Sequence, residues 1–173
     1  MNDFFSDPAP GFDSPIEMLI ACHDRVRHFS GLAITLAEHV RVHGADAPAK
    51  QAATSILRYF DTAAPRHHAD EEENLFPLLR PLLSAPNRAI LNALEAEHVV
   101  LGKLWSRLRS ELRCLVNEGV ASLNPLLCAE FAQRYQLHAE REERCLYTEA
   151  QQLLSVAQLA EIGNAMLARR KEA

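Results

Sequence analysis

Very little in this chain would interrupt a helix. Glycine occurs only six times in 173 residues, and no run alternates apolar and polar residues for long enough to make a strand. No uninterrupted apolar stretch reaches the roughly 20 residues of a membrane-spanning helix. The four cysteines (Cys22, Cys114, Cys128 and Cys145) include no CxxC spacing. They offer neither a redox pair nor a thiolate zinc site, and free thiols filling apolar space are expected. Positive charge is not in excess: the formal charge is -5 and the pI about 5.9, so neither nucleic acid nor an anionic membrane is an expected partner. The N-terminal Met-Asn-Asp-Phe-Phe-Ser-Asp lacks a basic segment followed by an apolar one, which makes the cytoplasm the expected location.

What is present is apolar periodicity. Hydrophobic residues make up 48% of the chain, enough for one domain with a real core. Residues 1–14 hold Pro8, Pro10, Gly11 and several aspartates and read as an irregular leader. Ser14-Pro15 opens a first helix with Ile16, Leu19, Val26 and Ala33 on one face, ending near His43-Gly44. Asp46-Ala-Pro48 opens a second, with Ile56, Phe60, Leu75 and Leu78 inward; Pro65 is expected to kink it, and Pro77 and Pro81 mark its end. Pro86 opens a third, which runs to about Gly119. The fourth starts near Pro125 and runs to about Leu154. Ser155 and Gln158 have the spacing of a capping box ahead of a short fifth helix, whose Arg169-Arg170-Lys171 end is expected to be solvated. The expected fold is all-α: an up-down-up-down four-helix bundle over residues 15–173 with a short C-terminal fifth helix.

Helices two and four share the only internal repeat. His67-His-Ala-Asp-Glu71-Glu-Glu-Asn-Leu75 and His138-Ala-Glu-Arg-Glu142-Glu-Arg-Cys-Leu146 both read His-x-x-x-Glu-Glu-x-x-Leu. Residues four apart share a helix face, so each repeat aims one imidazole and one carboxylate at a common point. His23, between Leu19 and Val26, and His98, between Leu94 and Leu101, face inward from helices one and three. Buried polar groups in such number are costly unless a partner satisfies them, and a metal pair would satisfy all six. The expected ligands are therefore His23, His67, Glu71, His98, His138 and Glu142. Glu72 and Glu143 lie about 100° around their helices from the ligand face and are expected to be solvated; His68 shares that offset and is expected at the surface or behind the ligands rather than on a metal, and His28, His39 and His43 are expected outside the site. Imidazole with carboxylate suits iron, manganese or zinc. Two carboxylates able to bridge favour a binuclear centre, with iron as the expected metal and room for an oxo or hydroxo bridge. Glu95, Tyr135, Tyr147 and Cys145 are nearby candidates to join the site.

The set His23, His67-x-x-x-Glu71 with Leu75-Phe76-Pro77, Glu97-His98, and His138-x-x-x-Glu142 resembles the hemerythrin-like, or HHE cation-binding, family over about residues 15–168. The resemblance implies a non-heme di-iron centre in a four-helix bundle, reactive toward dioxygen, nitric oxide or peroxide. The family's oxygen carriers have a further His four residues after the helix-three His, and His-x4-Asp on the last helix. This chain has Gly102 and His138-x3-Glu142 at the corresponding places. That difference implies an open position at one iron, near Gly102 and Trp105, and argues against reversible oxygen carriage. The family's iron-sulfur-cluster repair proteins resemble this ligand set but carry an N-terminal cysteine motif. Two readings follow: a redox-active or gas-binding di-iron protein, or an iron sensor or reservoir without catalysis. A monomer or homodimer is expected.

Overall fold

The structure, a computed structural model, describes residues 10–171. Most of the expected leader lies outside them; residues 10–14 carry only turns and a bend.

Helix α1 (Pro15–His43) begins at a first-turn proline, as its sequence requires. The Ser14 hydroxyl makes no cap. The Ser14 carbonyl instead accepts from Met18 N at 3.0 Å. Helix α2 (Ala47–Asp70) is capped by Asp46, whose side chain accepts from Ala49 N at 2.9 Å. It stays unbroken through Pro65 and runs on through a π-helical turn, Glu71–Leu75, and a last α turn, Phe76–Leu79. Helix α3 (Ala85–Glu118) ends at Gly119, which adopts φ 68°, the left-handed cap that glycine takes without strain. Helix α4 (Pro125–Arg141) is capped by Asn124, which accepts from Leu126 and Leu127. It continues through a second π segment, Glu142–Tyr147, and an α segment, Thr148–Leu153. Helix α5 (Val156–Lys171) starts at the expected capping box: Ser155 N donates to Gln158 Oε1 at 2.9 Å, and Gln158 N donates to Ser155 Oγ at 3.3 Å.

Helices α1 and α3 each pack beside α2 and α4, giving the four-helix bundle, and α5 lies across α1 and α2. Among the described residues there is no strand, and no helix is long and apolar enough to cross a membrane. All four cysteines are free thiols.

The core has two parts. One holds Val26, Phe60, Leu101, Leu108, Phe131 and Tyr135; the other holds Leu19, Leu75, Phe76, Leu94, Leu146 and Met166. Along every bundle helix the passage from one cluster to the other crosses an inward histidine. The residues between them form a single polar layer.

The C-terminal arginines depart from expectation. Arg169 and Arg170 are only partly exposed. Both pair with the fully buried carboxylate of Asp70, one residue before Glu71, with Arg170 Nη2 2.6 Å from Asp70 Oδ2. The guanidinium of Arg170 also lies 5.5 Å over the Phe12 ring.

Candidate metal centre

His23, His67, His98, His138, Glu71 and Glu142 are all buried, with Glu71 and Glu142 at 0% exposure. Four helices bring them into one layer. The imidazoles form two pairs: His23 Nε2 is 3.0 Å from His67 Nε2, and His98 Nε2 is 3.0 Å from His138 Nε2. Glu142 spans the pairs, with Oε2 3.1 Å from His23 Nε2 and Oε1 2.9 Å from His138 Nε2. Glu71 Oε2 lies between the others, 3.7 Å from His67 Nε2 and 3.5 Å from His98 Nε2.

Each carboxylate is the first residue of a π segment. In that geometry the backbone bonds five residues apart, as Phe76 N–H to Glu71 O does here. The wider turn keeps Glu71 and Glu142 in the layer and also turns inward the residue five further on. Phe76 stacks on His98 at 6.2 Å between ring centroids, and Tyr147 stacks on His23 at 5.4 Å. The Tyr147 hydroxyl donates to Glu71 Oε1 at 2.5 Å and lies 3.4 Å from His23 Nε2.

Three rings are held from behind by carboxylates. His23 Nδ1 meets Glu143 Oε1 at 2.8 Å, His98 Nδ1 meets Glu72 Oε1 at 2.5 Å, and His138 Nδ1 meets Glu97 Oε2 at 3.0 Å. Arg27 pairs with Glu143 at 2.7 Å, and Arg141 pairs with Glu97. Glu72 and Glu143 are thus not merely solvated. The second glutamate of each repeat reaches around its own helix to the outer nitrogen of an imidazole on a neighbour. A doubled glutamate beside an inward histidine is the sequence signal for this, since a metal-ligating imidazole commonly donates its other N–H to a carboxylate.

With Nδ1 of these three rings paired outward, their Nε2 atoms face carboxylate oxygens across the layer, with room between them for a proton or a cation. The layer thus calls for positive charge. Among the described residues, four buried side-chain atoms have no hydrogen-bond partner: His67 Nδ1, Glu71 Oε2 and both oxygens of Glu142. Each such atom costs about 1–3 kcal/mol, and three of the four are oxygens of the spanning carboxylates. Burial, and then the charge of Glu142, push Glu71 well above the usual carboxylate range. Burial alone would raise Glu142 too, but the charge of His138 and the close approach of the His138, His23 and His98 nitrogens hold it well below that range. Burial opposes charge on His98 and His138, yet bonding to Glu142 and the nearby carboxylate charges raise both. Burial and then His23 lower His67. Protons thus meet part of a demand that a cation would meet fully.

The donors fit one. A cation about 2.1 Å from two nitrogens at a right angle holds them about 3.0 Å apart, the separation found within both imidazole pairs. Two sets of donors have ligand atoms within 4.8 Å of one another: His23, His67, Glu71 and Glu142 in one, His68, His98 and His138 in the other. His68, expected at the surface or behind the ligands, takes the second of these places: its ring stacks on His98 with centroids 3.9 Å apart.

Other candidates lie elsewhere. Glu95 pairs with Arg80 at 2.8 Å. Cys145 belongs to neither donor set. Tyr135 stacks on His68 at 6.2 Å. Gly102 is exposed, with nothing within 4 Å of where a Cβ would stand, and Trp105 Nε1 donates to Asp61 at 3.1 Å. The cavity that touches the layer is another one, of about 230 Å³, lined by Glu97, Val100, Leu101, Leu137, His138 and Arg141 among others.

A helical bundle that turns imidazoles and carboxylates from four helices onto one buried layer is a hemerythrin-like metal-binding protein. The chain belongs to the family of the hemerythrin HHE cation-binding domain, whose model matches residues 14–150. It is also 34% identical over 160 residues to an uncharacterized protein of Haemophilus influenzae, covering 92% of each chain.

Proposed function

We propose that residues 15–173 form one di-iron domain that binds dioxygen, nitric oxide or peroxide at an open iron position. The observation that carries this reading is the pair of buried carboxylates with orphaned oxygens set between two imidazole pairs. His23 and His67 would hold one iron, His98 and His138 the other, and Glu71 and Glu142 would span them. Such a pair supplies electrons to, or coordinates, a small ligand.

The chain's own groups set the conditions. Glu143, Glu72 and Glu97 fix the tautomers of His23, His98 and His138. Tyr147 holds one oxygen of Glu71. The two apolar clusters on either side of the layer limit water. Iron is favoured over a closed zinc site because no cysteine lies among the donors. The cytoplasm is the proposed setting, with the protein acting as monomer or homodimer.

The test is to load the protein with iron, reduce it, and follow its visible spectrum on adding dioxygen and then nitric oxide. New charge-transfer bands on gas addition are expected; a spectrum unchanged by either gas would overturn the proposal. A second reading, iron sensing or storage without catalysis, draws on the same orphaned oxygens, because filling the layer then stabilises the fold. It predicts a spectrum indifferent to gas together with metal-dependent melting.

A further inference from the structure

The two repeats superimpose residue on residue: His67 on His138, Glu71 on Glu142, Glu72 on Glu143, Phe76 on Tyr147. Of the positions at which the repeats differ, two place a polar group against the imidazoles of the layer. Position 68 is histidine where its counterpart, position 139, is alanine, and position 147 is tyrosine where position 76 is phenylalanine. The hydroxyl of Tyr147 lies on the His23 side of the layer. The ring of His68 lies on the His98 side, stacked within 10° of parallel at 3.9 Å.

We infer that His68 is a fifth nitrogen ligand, so that one metal is held by three imidazoles (His68, His98 and His138) and the other by two (His23 and His67). The inference rests on the proposed di-metal reading and deepens it. Two observations carry it. The ligand atoms of His68, His98 and His138 lie within 4.8 Å of one another, close enough to share one cation after a small adjustment. In the stacked arrangement the in-plane lone pairs of His68 and His98 run parallel, so sharing a cation requires the His68 ring to tilt toward His98 and His138. Its aromatic neighbours are the rings of His67, His98, Tyr135 and His138, and among the described residues no hydrogen bond fixes it in another role.

The asymmetry also locates the open position. The metal with three imidazoles is the more crowded. The other, held by His23 and His67, has fewer nitrogen donors and the Tyr147 hydroxyl beside it. A small ligand would therefore bind on the His23–His67 side, within reach of that hydroxyl.

The test compares wild type with His68→Phe, which keeps an aromatic ring stacked on His98 but removes the nitrogens. Zinc binding is titrated calorimetrically, and protein loaded with iron-57 is read by Mössbauer spectroscopy. Wild type is expected to take up two zinc ions and show two unequal iron environments. In His68→Phe one of the two zinc sites should weaken at least about tenfold, and one iron environment should shift while the other stays. If His68→Phe fails to fold, a crystal structure of zinc-loaded wild type decides the matter by whether a His68 nitrogen is bonded to the metal. Two undiminished zinc sites and unchanged spectra in His68→Phe, or a His68 nitrogen away from the metal in the crystal, would overturn this inference alone. A wild type that takes up no metal would remove the proposed function and the inference together.

Discussion

At the scale of the residue, direction matters more than identity. That His23, His67, Glu71, His98, His138 and Glu142 share one buried layer was legible, because each interrupts an apolar stripe of helical period. What stands behind them was not. Glu72 and Glu143 fall about 100° from the ligand face on an ideal helix, which suggests solvent. In a bundle that direction is also where a neighbouring helix turns the back of its imidazole. Glu72→Gln or Glu143→Gln would weaken the grip on His98 or His23 without emptying the core. Metal affinity is expected to fall about 10- to 100-fold, measured by titration, with melting of the metal-free protein little changed. Tyr147→Phe would release Glu71 Oε1, adding one more orphaned buried oxygen. Metal should still bind, and the visible spectrum of the iron-loaded protein should shift. An unshifted spectrum would show that the hydroxyl does not influence the centre.

At the scale of the element, helix starts were largely readable and interior irregularities were not. Asp46 and the Ser155–Gln158 pair cap where the sequence opens their helices, and Asn124 caps just ahead of Pro125, whereas the Ser14 side chain makes no cap. Asn124→Ala should cost about 1 kcal/mol in chemical denaturation, and Asn124→Asp should restore most of it. Pro65 drew attention as a breaker, yet the departures from α geometry lie at Glu71–Leu75 and Glu142–Tyr147. Nothing in local propensity marks a π turn. It arises where the packing of the layer and the residues beyond it demands one more residue than an α turn holds. Gly163 shows a different constraint: a Cβ there would stand 1.9 Å from the Phe12 carbonyl oxygen. Gly163→Ala must displace the segment before α1 or shift α5, and a lowered melting temperature is expected.

At the scale of the whole molecule, two apolar clusters are joined through a polar layer that is short of positive charge. Charge is managed at one more place, the buried Asp70 carboxylate held by Arg169 and Arg170. The sequence hid this, because three basic residues at a helix end are equally well explained by the helix dipole. Replacing both arginines with alanine strands a buried carboxylate and should cost about 3–5 kcal/mol. Asp70→Ala should cost less, since the partly exposed arginines can turn to water. Both are read from denaturant midpoints. Metal uptake should stabilise the fold by mass action, by about 2.7 kcal/mol when free metal stands at a hundred times its dissociation constant.

The central claim, that the layer clasps two cations, is tested most directly by counting metal in wild-type protein purified from iron-replete cells and again after chelation. The account predicts close to two irons per chain before chelation and a lower melting temperature after it. Protein that comes out and stays free of metal when offered ferrous iron, with melting unaffected, would contradict it.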